Sequence, residues 1–303
     1  MSKPLLVLQP DQFTSFTSNY LQGYWRQFFT IEIYDDSRTY DRRGTLFVFW
    51  WLNDSDELPM LLKNRGYCVM IDNLWEYPIP DEHFYRIQHP YWFWFNESLW
   101  WQQMGHDRYL PNRNLPLKSA LMPVRKKTTN RDYFVSKISP YLDCMIWSYD
   151  SKKLPNDFDP SLPTYQRAVN FDWYDQTFCS VVVETCLDGP ISWFTEKSMR
   201  PMAFYHPYMI LSSAGVLDLI RGMGFETFKE LFDESYNEEP DFVKRCEIIV
   251  GNVSRLHPGQ YDSITLQKMQ HNRDHFFNTA KIHRLIEAEI IAPMLEHLNA
   301  TQT

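Results

Sequence analysis

The run Phe194-Thr195-Glu196-Lys197-Ser198-Met199-Arg200-Pro201-Met202-Ala203-Phe204, continuing through His206-Pro207-Tyr208-Met209-Ile210-Leu211, has the most chemically suggestive spacing in the chain. Thr195 has the short hydroxyl side chain of a helix N-cap, so a helix is expected to start behind it with backbone N–H groups free. Such a start favours phosphate oxygens, because unsatisfied N–H groups and the helix dipole both face the anion. Lys197 opposes the dipole in that first turn, which points to an anion beside it. Glu196 supplies two acceptors of the kind that hold a ribose diol in dinucleotide folds. The plainer alternative is a capping turn with a solvated Glu-Lys pair.

Two further groups fit the same chemistry. Val124-Arg125-Lys126-Lys127-Thr128-Thr129-Asn130-Arg131 places four cations within seven residues, just after an expected strand. Guanidinium groups there can grip a diphosphate. Arg125 and Arg131 are the first candidates and Lys126 a weaker one, against a solvated basic loop or a local nucleic-acid contact. Glu184 closes the strand-like FCSVVVE of residues 178–184, where a carboxylate can hold a hydroxyl of a bound sugar or simply cap a turn.

The ordered set Thr195-Glu196-Lys197, Pro201, His206-Pro207, Ser212-Ser213-Ala214-Gly215, Gly224-Phe225-Glu226-Thr227-Phe228 and Asp233-Glu234-Ser235-Tyr236 resembles the nucleotide-sugar lobe of phage, giant-virus and bacterial glycosyltransferase-like proteins. More distantly it resembles the Thr-Glu-Lys segment of fucosyltransferases. The resemblance covers residues 119–256. It departs at Arg200, where relatives often carry lysine, and at Ser212, where many have glycine. It implies a GT-B-like enzyme moving a sugar from a nucleotide-sugar donor to a hydroxyl. Glu196 would bind ribose, and Lys197 with Arg125 the pyrophosphate. The acceptor implied is a glycan or small molecule, or alternatively a hydroxymethylated base in phage DNA; a non-catalytic nucleotide-sugar-binding protein is a further alternative.

Inverting transfer to a hydroxyl needs a general base that takes the acceptor proton as the oxocarbenium-like centre develops. The first lobe is expected to supply it, from Glu97 first and then Asp54, each placed just past an expected strand. Asp54-Ser55-Asp56 has a bare metal-binding spacing but lies in an ordinary acidic turn. No metal requirement and no resident cofactor are expected; the nucleotide-sugar is a co-substrate.

Short apolar runs must position these residues. In the first half, residues 45–52 (TLFVFWWL), 67–71 and 91–95 (YWFWF) read as strands, with a helix over 58–66. The polar stretch 106–116 reads as a linker. Strands follow at 119–124, within 141–149, at 178–184 and at 206–211, alternating with helices at 130–138, 195–205 and 215–222. Buried strands alternating with helices imply parallel sheets covered on both faces. The expected architecture is α/β with two Rossmann-like lobes facing a cleft: an acceptor lobe over 1–115, a nucleotide-sugar lobe over 116–262, and a helical tail over 263–303 that returns to the first lobe.

At 303 residues the chain is long enough for two cores. Its net charge of −8 argues against a protein whose main task is gripping a phosphate backbone. Aromatic residues reach 17%, enough to line a stacking cleft as well as fill cores. No apolar run long enough to span a membrane and no secretion signal is evident. Five scattered cysteines with no Cys-x-x-Cys pair suggest reduced thiols and a cytoplasmic protein, in the host cytoplasm if the chain is viral.

Overall fold

The computed structural model describes residues 3–8, 23–35, 37–40, 45–49, 61–62, 64, 68–72, 85–87, 92–112, 118–155, 157, 168–185, 187–188 and 194–300. The chain divides into two compact units, Met1–Trp100 with Asn278–Thr303, and Trp101–Phe277. The expected divisions had been at 115/116 and 262/263.

The first unit holds strands β1 (Leu5–Leu8), β2 (Thr30–Ile33), β3 (Thr45–Phe49), β4 (Cys68–Asp72) and β5 (Tyr85–Ile87). Every pairing is parallel, in the order β2-β1-β3-β4-β5. Leu6, Val7, Leu46, Phe47 and Val69 are buried, as expected of strands covered on both faces.

The run 91–95, expected as a strand, is instead the start of helix α1 (Trp92–Gln103). Every residue from Trp94 to Trp101 is buried, including Asn96, Glu97 and Ser98. A helix buried on all sides lacks the polar stripe that gives a helical period away. The expected linker is also partly built structure. His106–Arg108 forms a single 3₁₀ turn. Beyond it, Tyr109 stacks on Phe171 at 4.3 Å and donates its hydroxyl to Asp175 Oδ1 at 2.5 Å.

The second unit contains β6 (Lys118–Pro123), α2 (Thr129–Ile138), β7 (Met145–Ser148), α3 (Phe171–Asp175), β8 (Thr177–Val183), α4 (Glu196–Ala203), β9 (Tyr208–Leu211), α5 (Val216–Gly222), α6 (Phe242–Ser254) and α7 (Ser263–Phe276). Its sheet is again all parallel, in the order β7-β6-β8-β9. From β6 the chain moves outward to β7, then returns to place β8 on the other side of β6. The junction of β6 and β8 is therefore the switch point of the sheet, outside whose carboxyl ends ligands bind in open α/β folds. All seven residues of β8 are buried. Burying Val181, Val182 and Val183 contributes about 1.5–3 kcal/mol each before entropy is counted.

The residues that follow, α8 (Thr279–Ile286), a π-helical turn (Glu287–Ile291) and α9 (Ala292–Ala300), belong to the first unit. They bury Ile282, Ile286, Ile290, Ile291, Met294 and Leu298. The ring of His283 stacks on Tyr24 at 4.2 Å, and Tyr24 donates its hydroxyl to Glu287. No helix among the described residues is long and apolar enough to cross a membrane.

Candidate functional site

Thr195 is extended and caps α4, its Oγ accepting from the Lys197 N–H at 3.3 Å. The same hydroxyl donates to Glu184 Oε2 at 2.7 Å and accepts from Lys197 Nζ at 3.0 Å, so all its capacity is used. Met199, Met202 and Ala203 turn inward and anchor the helix. Pro201 denies the Lys197 carbonyl its helical N–H, and the chain leaves the helix through Phe204 and Tyr205. Tyr205 has φ 55, the left-handed region that non-glycine residues avoid. The ring of Tyr205 is buried, with the Arg273 guanidinium 5.3 Å from its centroid.

The free N–H groups expected at this helix start are taken by the protein itself. The Thr195 N–H donates to Glu184 Oε1 at 2.7 Å, and the Ser198 N–H to Thr195 O at 3.1 Å. Side chains therefore carry what the helix end was expected to offer. Lys197 Nζ reaches Thr195 Oγ, Glu196 Oε1 at 3.1 Å and Thr185 Oγ at 3.3 Å, and lies 3.9 Å from Glu184 Oε2. The Glu196 and Lys197 side chains keep 26% and 28% of their surface, so both are within reach of a ligand. Burial works to raise the Glu196 pKa, but Lys197 and Arg200 outweigh it and hold the carboxyl below its ordinary value.

Arg200 is the residue that the sequence reading undervalued. It lies four residues after Glu196, on the same face of the helix, a spacing visible in the sequence. Its guanidinium donates to Ala168 O at 3.4 Å and bonds the buried Tyr174 hydroxyl.

Glu184 and Arg131 occupy other positions than expected. Glu184 is 0% exposed, and its carboxylate accepts from Thr195 twice and from Ser198 Oγ at 2.6 Å, leaving no surface for a sugar hydroxyl. Arg131 is 2% exposed and faces three backbone carbonyls: Lys126 O at 2.9 Å, Val183 O at 3.1 Å and Glu184 O at 2.8 Å. A carbonyl-bound guanidinium under this cover does not meet a diphosphate. Arg125 and Arg131 were expected to act together, and burial separates them: Arg131 is covered and Arg125 is not.

Arg125 remains about one-third exposed and pairs with Asp157 at 3.2 Å. Lys126 is exposed, with no ion pair among the described residues. Lys127 pairs loosely with Asp132 at 3.8 Å. Asp132 also accepts from Tyr149 at 2.6 Å; burial first, then this carboxylate, pushes the Tyr149 phenol up to about 12.

Of the proposed bases, Glu97 lies within α1 at 2% exposure instead of at the exit of a strand. Asp54 lies outside the described residues, as does Asp56. Among the described residues no group of three or more His, Cys, Asp or Glu side chains gathers as metal ligands do. Cys144, Cys179 and Cys246 are free thiols.

No protein-family model matches the chain, and no curated protein matches it. Among solved structures it is similar to one described as "Crystal Structure of alpha1,3-Fucosyltransferase with GDP-fucose", at 9% identity, 91% coverage of each chain and a TM-score of 0.45. A likeness of that grade carries neither fold detail nor activity across.

Proposed function

We propose that the chain is a glycosyltransferase whose second unit binds a nucleotide-sugar donor. One observation carries the reading. The Arg131 guanidinium bonds the carbonyls of Lys126 and Glu184 together, so the exit of β6 and the exit of β8 meet at the switch point. The cations Arg125 and Lys126 and the Thr195-Glu196-Lys197 helix start thus share the end of the sheet where such ligands bind. A site with a partly exposed carboxylate beside several cations suits a molecule carrying both a diol and a diphosphate. Glu196 accepts from the ribose hydroxyls. Lys197, Arg125 and Lys126 take the pyrophosphate and stabilise the nucleoside diphosphate as it leaves the sugar.

The reaction then consists of attack by an acceptor hydroxyl oxygen on the anomeric carbon, with the nucleoside diphosphate leaving and the hydroxyl proton passing to a base. The acceptor is a glycan or small molecule. The candidates for that base are Glu97 and then Asp54; Glu97 is buried in α1, and Asp54 lies outside the described residues. Transfer needs no metal.

The test is thermal unfolding with UDP, GDP, CDP and their common sugars. A ligand that binds only the folded chain raises its melting temperature. One nucleotide is expected to stabilise the wild type and neither Glu196→Ala nor Lys197→Ala. No shift with any nucleotide at millimolar concentration overturns the reading.

A further inference from the structure

The geometry points to Glu184 as the positioning residue of this site, held in place by Arg131; the inference rests on the donor-site reading above. Three segments must hold a fixed relation for a diphosphate to meet its cations: the turn after β6, the exit of β8 and the start of α4. Arg131 joins the first two through backbone carbonyls. Glu184 joins the second to the third through its side chain. Its carboxylate accepts from the Thr195 N–H at 2.7 Å, the Thr195 hydroxyl at 2.7 Å and the Ser198 hydroxyl at 2.6 Å.

These bonds have two consequences for the ligand face. They fix the backbone that carries Glu196 and Lys197 at the point where the helix begins. They also place a buried negative charge 3.9 Å behind the Lys197 ammonium, which draws it back onto Thr195. Lys197 thus waits at the helix start, with its three N–H groups on Thr195, Glu196 and Thr185, instead of trailing into solvent. An ammonium ordered before binding does not spend binding energy on being ordered. Neither Glu184 nor Arg131 touches the ligand; each acts through Thr195, Ser198 and Lys197.

The variant that separates positioning from mere stability is Glu184→Gln. It keeps the shape and one accepting oxygen, but turns the other into an N–H donor and removes the charge behind Lys197. Two quantities are measured on the full chain: amide hydrogen exchange across 194–199, and the dissociation constants of UDP and GDP by calorimetry. Exchange at Thr195 and its neighbours is expected to quicken while that of 208–211 stays as in the wild type. Nucleotide binding is expected to weaken at least about tenfold, on the scale of lost hydrogen bonds to a charged group. Ser198→Ala, which removes one of the three bonds to the carboxylate, is expected to move both in the same direction by less. Ile249→Val, buried in α6, serves as a core variant that lowers the melting temperature without moving binding.

Unchanged exchange over 194–199 in Glu184→Gln overturns the inference. So does quickened exchange with unchanged binding, which would leave Glu184 a stabilising residue only. If the wild type binds none of UDP, GDP, CDP and their common sugars, the donor-site reading fails on that result, and the exchange measurement alone decides whether Glu184 holds the helix start.

Discussion

Burial makes an ionised Glu196 costly, and two cations on its own helix reverse the balance, so its pKa falls below the usual carboxylate range. The sign has a consequence for acid unfolding. A carboxyl whose folded pKa lies below its unfolded value of about 4.3 stabilises above that value and loses the effect as pH falls through the folded pKa. Glu196→Gln should therefore lower stability at neutral pH, by at most about 1 kcal/mol for a partly exposed pair. Denaturation curves of variant and wild type should converge as the pH falls through the lowered folded pKa, and a constant gap across pH would show that Glu196 acts by shape alone. At this scale the helix start at Thr195 was legible, because a capping hydroxyl ahead of a helical run is a local signal. The sequence reading misjudged Glu184 and Arg131, whose partners lie 11 and 53 residues away, a separation that no local pattern encodes. Arg200 was visible as an i,i+4 partner of Glu196 and was passed over as a departure from a motif.

Elements show the same division. β6, β8, β9, α2, α4 and α5 were legible to within a few residues, since each is a short apolar run or a capped amphipathic one. α1 was not, because aromatic runs fit strand and buried helix alike when no polar face marks the period. α5 illustrates how little sequence such an element needs. Gly215 precedes it at φ 84, and its N–H donates to Asn237 O at 2.7 Å. Asn237 Oδ1 accepts from the Leu217 N–H at 2.8 Å, while its Nδ2 donates to Asp218. Gly215→Ala forces a Cβ into the left-handed region and should cost about 1–2 kcal/mol. Asn237→Ala leaves a buried N–H unsatisfied and should cost about 1–3 kcal/mol. Thermal unfolding checks both, and a melting temperature within error of wild type for either would contradict this account of the helix start. A second measure of element strength is Phe204, which meets Trp101, Phe171 and Tyr174 within 5.5 Å between ring centroids. Phe204→Ala should lower stability by about 3–5 kcal/mol.

For the whole molecule, a formal charge of −8 bears on which acceptor is used. Transfer to a neutral glycan or small molecule should change little between 50 and 200 mM salt. Transfer to DNA would fall steeply over that range, because each neutralised phosphate releases counterions on binding. A transfer assay with both acceptor classes at the two salt concentrations separates them, and a steep salt dependence would move the acceptor assignment to DNA.

The first unit is discontinuous: it needs both Met1–Trp100 and Asn278–Thr303, while Trp101–Phe277 is continuous. During synthesis, at roughly 5–20 residues per second, the second unit can fold while the first still lacks its closing helices. Leu6, Phe47 and Trp94 belong to a unit that is complete only once Ile282, Ile286 and Met294 have left the ribosome. Those segments, and not the continuous second unit, are the part of the chain completed last, and a chain stalled after Phe277 would hold the first unit open with its second sheet already formed.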